Sequence, residues 1–141
     1  MEILDFAKHR YPFILVDKIV EFEYLNFAKC IKNVSYNEPW VPGHYPDQPI
    51  YPGALLIESM AQASAPMLLK EGEINHTLTG YLVQIDKVKF IHPIFPGDQI
   101  LFEAKMVSNV NNYYTIQCIA SVDGRKMASA KISYLLEEGG I

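Results

Sequence analysis

The chain has 141 residues, 50% of them hydrophobic, and a formal net charge of −4. This length and composition predict one domain spanning residues 1–141. The acidic charge and the lack of a Lys/Arg cluster argue against a nucleic-acid partner, because phosphate binding requires concentrated basic side chains. No apolar stretch reaches the roughly 18 residues of a membrane span, which argues against membrane insertion.

The N-terminal segment and the cysteines indicate the cellular compartment of the protein. The first ten residues include Glu2 and Asp5 and lack the apolar core of a secretory signal. Cys30 and Cys118 have neither a CxxC spacing nor a metal-binding one, and we expect both to be small buried hydrophobes in a reducing compartment. These features predict a cytoplasmic protein.

Two strands are predicted in the first part of the chain, at residues 13–21 and 27–34. Between residues 43 and 62 the sequence then reads GHYPDQPIYPGALLIESMAQ. This segment places Glu58 within an otherwise apolar run. An ionised carboxylate is costly to bury without a partner, so such a group usually neutralises or finds one. His44 is the candidate partner, although taken singly a glutamate is most often solvated and a loop histidine is most often structural.

Between these two residues lies a turn, Tyr51-Pro52-Gly53, that leads into a helix. Proline suits the start of a helix, and a glycine lets the backbone come close to a ligand. The first N–H groups of a helix have no internal partner and lie at the positive end of its dipole. A base, an acid and a donor to a polarised carbonyl oxygen are therefore offered within one segment.

The helix itself is predicted at residues 53–70 and ends before Gly72. Apolar residues occupy nearly every position, so we expect this helix to be wrapped by other elements. Pro66 removes one internal hydrogen bond, and a kink is expected there.

The rest of the chain has the composition of strands, at residues 78–90, 99–109, 113–122 and 126–135. Asp123-Gly124 is the clearest hairpin turn. One wrapped helix with a large antiparallel sheet is an α+β architecture.

The central segment resembles that of the 3-hydroxyacyl-acyl-carrier-protein dehydratases of fatty acid synthesis, which have the hotdog fold. Gly53 stands nine residues and Glu58 fourteen residues after His44, and the resemblance continues in order through most of the chain. The other matching segments are His9 to Phe13, Leu15 to Asp17, Lys32 to Val34, Asn37 to Pro39, Ile85 to Phe90, Pro96 to Gln99 and Val122 to Gly124.

The resemblance implies an antiparallel sheet wrapped around one long central helix, and a dehydratase that removes water from a 3-hydroxyacyl thioester carried by acyl carrier protein or coenzyme A. His44 would be the base and Glu58, protonated by burial, the acid. The backbone N–H of Gly53 would bind the thioester oxygen, and Gln62, one turn after Glu58, would orient its carboxyl group. No metal or redox cofactor is needed. In the family, the His and Glu of one site come from different subunits of a homodimer, and hexamers of such dimers occur.

Three further residues are candidates for the substrate tunnel: Tyr45, Tyr81 and Gln84. Gln84 stands where the family often has a smaller residue, and a polar amide there would shorten or polarise the tunnel. Trp40 is expected to shape the mouth of the site. The remaining histidines, His9, His76 and His92, are expected to be structural or exposed.

Two rival functions stay open. A hotdog thioesterase could use Glu58 to activate water, although His44 and the Gly53 spacing suit removal of an α-proton better. A non-catalytic acyl-binding subunit would be expected to have lost His44 or Glu58, and both are present.

Overall fold

The computed structural model describes residues 2–5, 8–45, 47–68 and 78–138. In these ranges the chain forms one α-helix, α1 (Gly53–Ser64), continued by a 3-10 turn (Ala65–Leu68), and two shorter 3-10 turns (Ile3–Asp5 and Val41–Gly43). The strands are β1 (Lys18–Glu23), β2 (Phe27–Asn33), β3 (Leu78–Phe90), β4 (Gln99–Val110), β5 (Tyr113–Val122) and β6 (Arg125–Glu138).

The six strands form one sheet in the order β1-β2-β4-β5-β6-β3, and every neighbouring pair is antiparallel. Helix α1 packs on one face of this sheet against β2, β4 and β5. The predicted α+β architecture with an antiparallel sheet is therefore confirmed. Strands β1 and β3 form the two edges.

The core lies between α1 and the sheet. Met60 and Ala63 of the helix are fully buried, as are Phe102 of β4 and Ile116 of β5. Along β5, alternate residues face the helix, as the two-residue period of a strand requires. Cys30 and Cys118 belong to this core as free thiols, and burial raises the pKa of Cys30 to about 12, so both behave as the small hydrophobes expected.

The helix is shorter than predicted. Its α-helical part ends at Ser64, two residues before Pro66, and the chain continues as a 3-10 turn through Leu68. Proline has no N–H to donate, so the α-helical pattern of hydrogen bonds cannot continue through it. The predicted end near Gly72 and the residue His76 lie outside the described residues.

Strands β3 and β5 have the limits predicted, and β2, β4 and β6 differ by one to three residues at their ends. Strand β1 begins at Lys18, five residues later than predicted. The reason is tertiary: the carbonyl of Phe13 and the N–H of Leu15 are hydrogen-bonded to the side chain of Gln62.

The Asp123-Gly124 turn is confirmed between the paired residues Val122 and Arg125. Asp123 has φ 50° and Gly124 has φ 78°. Positive φ at both central residues is the type I′ hairpin geometry that matches the twist of the flanking strands.

The edge strand β3 exposes an unusual amount of apolar surface. Five of its hydrophobic side chains are more than a third exposed: Leu82, Val83, Ile85, Val88 and Phe90. A long apolar edge strand is a template for pairing with another chain. In the part of the chain that is described, no helix has the length and apolarity needed to cross a membrane.

Candidate active site

His44 follows the 3-10 turn Val41–Gly43, and its ring is held by the backbone a few residues later. Its Nδ1 lies 3.0 Å from the carbonyl oxygen of Ile50. A carbonyl can only accept a hydrogen bond, so Nδ1 donates and carries the proton of the neutral ring. The other nitrogen, Nε2, is then left with its lone pair, which is the tautomer that a general base requires.

The loop that leads to His44 is fixed by a buried ion pair. Lys32 on β2 is 5% exposed, and its Nζ lies 2.6 Å from Oε1 of Glu38. The other carboxylate oxygen of Glu38 accepts a hydrogen bond from the N–H of Ser35 at 2.8 Å. Asp17 lies 3.9 Å from the same Nζ. These contacts tie the loop to the sheet.

Trp40 and Tyr51 connect this loop to the start of α1. Their rings meet edge to face, with centroids 5.5 Å apart. The hydroxyl of Ser59 donates to the carbonyl of Leu55 at 2.7 Å, so the hydroxyl of Tyr51, 2.8 Å away, donates to Ser59. Burial raises the pKa of Tyr51, which keeps this donor protonated. The two ends of the His44 loop are thereby packed against the helix.

Gly53 is the first residue of α1. The first bond of the helix runs from the N–H of Leu56 to the carbonyl of Pro52, and no side chain caps this end. The N–H groups of residues 53–55 are those that a helix leaves without internal partners. They lie at the positive end of the helix dipole, where they can stabilise a negatively charged oxygen.

His44 and Gly53 line the same cavity of about 340 Å³. Its wall is mainly apolar, and Tyr45 lies at its mouth beside His44, with ring centroids 4.4 Å apart. The other lining residues include Tyr51, Leu56, Phe90, His92 and Ile94. The imidazole of His44 and the backbone of Gly53 therefore line one apolar pocket.

Glu58 is not among the described residues that line this cavity. Its carboxylate is instead held by two side chains of the same chain. Gln62 donates to Glu58 Oε1 at 3.3 Å, which is the orienting contact expected, and Nε2 of His9 lies 3.2 Å from the same oxygen. The structure thus brings Gln62 and Glu58 together but keeps Glu58 out of the His44 cavity of its own chain.

The expectation that burial keeps Glu58 protonated is wrong for this chain. Burial does act to raise the pKa of Glu58, but the hydrogen bonds from His9 and Gln62 and the charge of His9 outweigh it, so the pKa is lowered. Burial is the largest single influence on this carboxyl group, but the side chain is 22% exposed, and the opposing contributions of His9 and Gln62 together exceed the effect of burial. Glu58 therefore favours the ionised form.

The pairing of β3 with β6 shows where two of the residues expected to line the substrate tunnel, Tyr81 and Gln84, point. Gln84 lies opposite Ser133 and Tyr81 opposite Leu135. Directly opposed residues share a face, and Ser133 bonds Thr115 on the face away from the helix. Tyr81 and Gln84 therefore point away from the face on which the cavity lies, since a bulge between Leu82 and Gln84 shifts the alternation.

Three residues at the site were not assigned a role from the sequence. His9 was expected to be structural or exposed, and it contacts Glu58. Phe90 lies over Gly53. His92 lines the cavity, and its Nδ1 lies 3.2 Å from Nη2 of Arg125. The sequence around Phe90 does not predict its contact with Gly53, because the two residues lie 37 positions apart and belong to different elements. Within the described residues, no group of three or more His, Cys, Asp or Glu side chains could hold a metal ion.

The family model and the similar proteins of known sequence point to the same family of dehydratases. The family model described as the FabA-like domain matches residues 7–131. The 3-hydroxyacyl-(acyl-carrier-protein) dehydratase FabZ of Aromatoleum aromaticum is 39% identical over 138 residues, covering 96% of this chain and 95% of the relative. The corresponding dehydratase of Yersinia enterocolitica is 40% identical over 130 residues, covering 92% of this chain and 77% of the relative.

Among solved structures, a chain of the dehydratase heterocomplex ApeI:P from Xenorhabdus doucetiae superposes with a TM-score of 0.83. It is 18% identical, and the match covers 98% of this chain and 92% of that one. At this identity the likeness concerns the fold alone. With the sheet order and the single packed helix, it confirms the hotdog fold.

Proposed function

This chain belongs to the FabA-like family, and we propose that it performs the family's dehydration chemistry with His44 as base and Glu58 as acid. It is a hydro-lyase that converts a 3-hydroxyacyl thioester to the trans-2-enoyl thioester and water in fatty acid or related acyl-chain synthesis. The observation that carries the residue assignment is the His44–Ile50 hydrogen bond, which leaves Nε2 as a base in the cavity that Gly53 also lines.

The proposed reaction needs three groups. Nε2 of His44 removes the α-proton while the N–H of Gly53 stabilises the charge that develops on the thioester oxygen. Glu58 donates a proton to the departing β-hydroxyl, which leaves as water. Gln62 is 3% exposed and bonded to Phe13, Leu15 and Glu58, so it holds the carboxyl group in one orientation.

We place the complete site between two copies of this chain. Two observations support this: Glu58 does not line the cavity of His44, and the outer edge of the 13-residue strand β3, which exposes several apolar side chains, pairs with no other strand among the described residues. Pairing β3 with its copy would continue the sheet and cover the exposed Leu82, Ile85 and Phe90. The proposed unit is a homodimer in which His44 of one chain works with Glu58 of the other, and hexamers of such dimers are compatible with it.

The carrier, the compartment and the extent of the domain are part of the same proposal. The two dehydratases compared above are named for substrates linked to acyl carrier protein. We expect the same carrier here, with coenzyme A as the alternative. We propose one cytoplasmic domain over residues 1–141 that works without a metal or redox cofactor.

One assay tests the assignment. The purified protein is given matched 3-hydroxyacyl and saturated acyl thioesters, and formation of the conjugated enoyl product is followed beside release of free thiol. We expect enoyl formation from the first substrate and no thiol release from either. Thiol release without enoyl product would indicate a thioesterase, and neither product would indicate a non-catalytic acyl-binding subunit.

The same assay tests the two residues. His44→Ala and Glu58→Gln should each lower kcat by at least about 100-fold, because each removes a proton-transfer group. Lys29→Gln is the matched control, since it removes an exposed ion pair with Glu21 at the far edge of the sheet. Near-normal turnover in either site variant, with the variant still folded, would overturn the assignment.

A further inference from the structure

The carboxylate of Glu58 contacts a titratable side chain, His9, to which the proposed reaction assigns no role. Nε2 of His9 lies 3.2 Å from Glu58 Oε1, and the His9 side chain is 41% exposed. This contact joins the N-terminal segment to the middle of α1, across 49 positions of sequence. It therefore exists only because the segment folds back along the helix.

Several contacts hold His9 in place. Its backbone carbonyl accepts a hydrogen bond from Arg10 Nη1 at 2.7 Å, and Arg10 also contacts the carbonyl of Leu4. The His9 ring lies 6.0 Å from the ring of Phe13. Gln62 anchors Phe13 in turn. The same amide that orients Glu58 therefore also positions the segment that carries His9.

The proposed reaction requires a proton on Glu58, whereas this chain favours the ionised carboxylate. Resting on the proposed function, we propose that His9 is a positioning residue that supplies the proton Glu58 donates to the departing hydroxyl. An imidazole suits this role, because its nitrogen can both give and accept a proton, and the 41% exposed ring of His9 can exchange protons with water. The residue does not contact the reacting atoms and acts through Glu58.

The His9 imidazolium gives its Nε2 proton to Glu58 Oε1, and the Glu58 carboxyl passes one proton to the β-hydroxyl, breaking the carbon–oxygen bond and releasing water. The α-proton passes to His44. His44 then loses this proton to solvent and His9 takes one up from solvent, so the substrate has lost only H₂O and both residues return to their starting states.

Charged groups lie on both elements that carry this pair. Glu58 is the single titratable residue within α1. On the described part of the N-terminal segment, the charged side chains are Glu2, Asp5, Lys8, Arg10 and Asp17. Asp5 accepts from the N–H of Glu2, Arg10 binds backbone carbonyls, and Asp17 accepts from the N–H of Asn33 and lies near Lys32. In the proposed dimer, His44 of the second chain also faces Glu58. The pH response of Glu58 in the free chain is therefore set by burial, which raises its pKa, and by His9 and Gln62, which together lower it by more.

His9→Gln tests the inference, because glutamine keeps a hydrogen-bond donor but cannot deliver a proton. Without His9, the proton must reside on a lone carboxyl group, whose protonated fraction falls about tenfold per pH unit above its pKa. We expect kcat of the variant to fall by about tenfold per unit once the pH exceeds the ordinary carboxyl range, with KM little changed, and the ratio of wild-type to variant kcat to increase with pH until imidazole itself loses its proton. Lys29→Gln should keep the wild-type profile.

Chemical rescue distinguishes proton supply from a structural role: added imidazole should restore part of the activity of His9→Gly near about pH 6.5, where both imidazolium and imidazole are present. Carbon-13 NMR titration of the Glu58 carboxyl group checks the contact itself and should show a higher pKa in His9→Gln than in the wild type. A uniform loss of kcat at every pH, or a profile unchanged from that of the wild type, would overturn proton supply. An inactive wild-type protein would instead overturn the proposed function.

Discussion

The ring of Phe90 lies directly over Gly53: a Cβ atom added to Gly53 would stand 3.0 Å from Cζ of Phe90. Such a separation is tighter than ordinary van der Waals contact, so any side chain at residue 53 must displace the ring. Phe90 also lines the cavity of His44. The absence of a side chain at Gly53 therefore keeps both the first N–H of the helix and the cavity accessible.

We predict that Gly53→Ala lowers kcat/KM by about tenfold or more, because the added methyl group displaces the Phe90 ring that lines the cavity. The backbone N–H remains, so the loss arises from the displaced ring. Adding Phe90→Ala to Gly53→Ala should restore part of the activity. Unchanged activity in the single variant would show that the close approach is not needed.

Phe90, and not Gln84, is the residue that we expect to limit the length of the bound acyl chain. Phe90→Ala enlarges the apolar cavity, and each additional buried CH₂ of substrate is worth about 0.8 kcal/mol. We therefore expect the preference for acyl chain length, measured as kcat/KM across a thioester series, to shift toward longer chains. Gln84→Gly is the matched control on the opposite face of the same strand, and a shift in that variant would contradict the register argument.

The proposed shared site predicts complementation between inactive variants. When His44→Ala and Glu58→Gln proteins are mixed equally and exchange subunits at random, half of the dimers are mixed and each of these holds one intact site. About a quarter of all sites should then be active. Labelled subunits verify exchange by mass spectrometry, and verified exchange without recovered turnover would show that each site belongs to one chain.

The Lys32–Glu38 ion pair makes a stability prediction. Its side chains are 6% and 14% exposed, so Lys32→Met leaves a largely buried carboxylate without its partner. Loss of one member of a buried pair typically costs about 3 to 5 kcal/mol, and we expect a loss of this order in urea unfolding. The double variant Lys32→Met/Glu38→Gln should recover most of the loss. Lys29→Met, at an exposed pair, should change stability by less than about 1 kcal/mol.

The lowered pKa of Glu58 predicts a pH-dependent stability difference. A carboxyl group with a lowered folded-state pKa contributes stability above its unfolded pKa and loses it as the pH falls through the folded value. Wild type should therefore be most stable relative to Glu58→Gln at neutral pH, and this advantage should shrink below about pH 4.3. Urea unfolding of both proteins across that range measures it. A constant difference would show that the ionised form gains nothing from His9 and Gln62.

Much of this protein was determined by local sequence. The strands with clean alternation, the Asp123-Gly124 turn and the helix start at Gly53 follow from short-range backbone preferences that act wherever the segment lies. The spacing of His44, Gly53 and Glu58 predicts the site through its resemblance to the dehydratase family, and the assignment of roles to these residues stays a prediction.

Only the tertiary structure decided how the site residues are paired and protonated. The contact of His9 with Glu58, the cover of Phe90 over Gly53 and the outward direction of Gln84 depend on chain folding and on one bulge in β3. Glu58 was expected to be neutral because burial favours the uncharged form, but His9 and Gln62, brought to it by the fold, favour the carboxylate more strongly. Sequence periodicity describes one element at a time, whereas a pKa and a side chain's neighbours depend on every element packed around it.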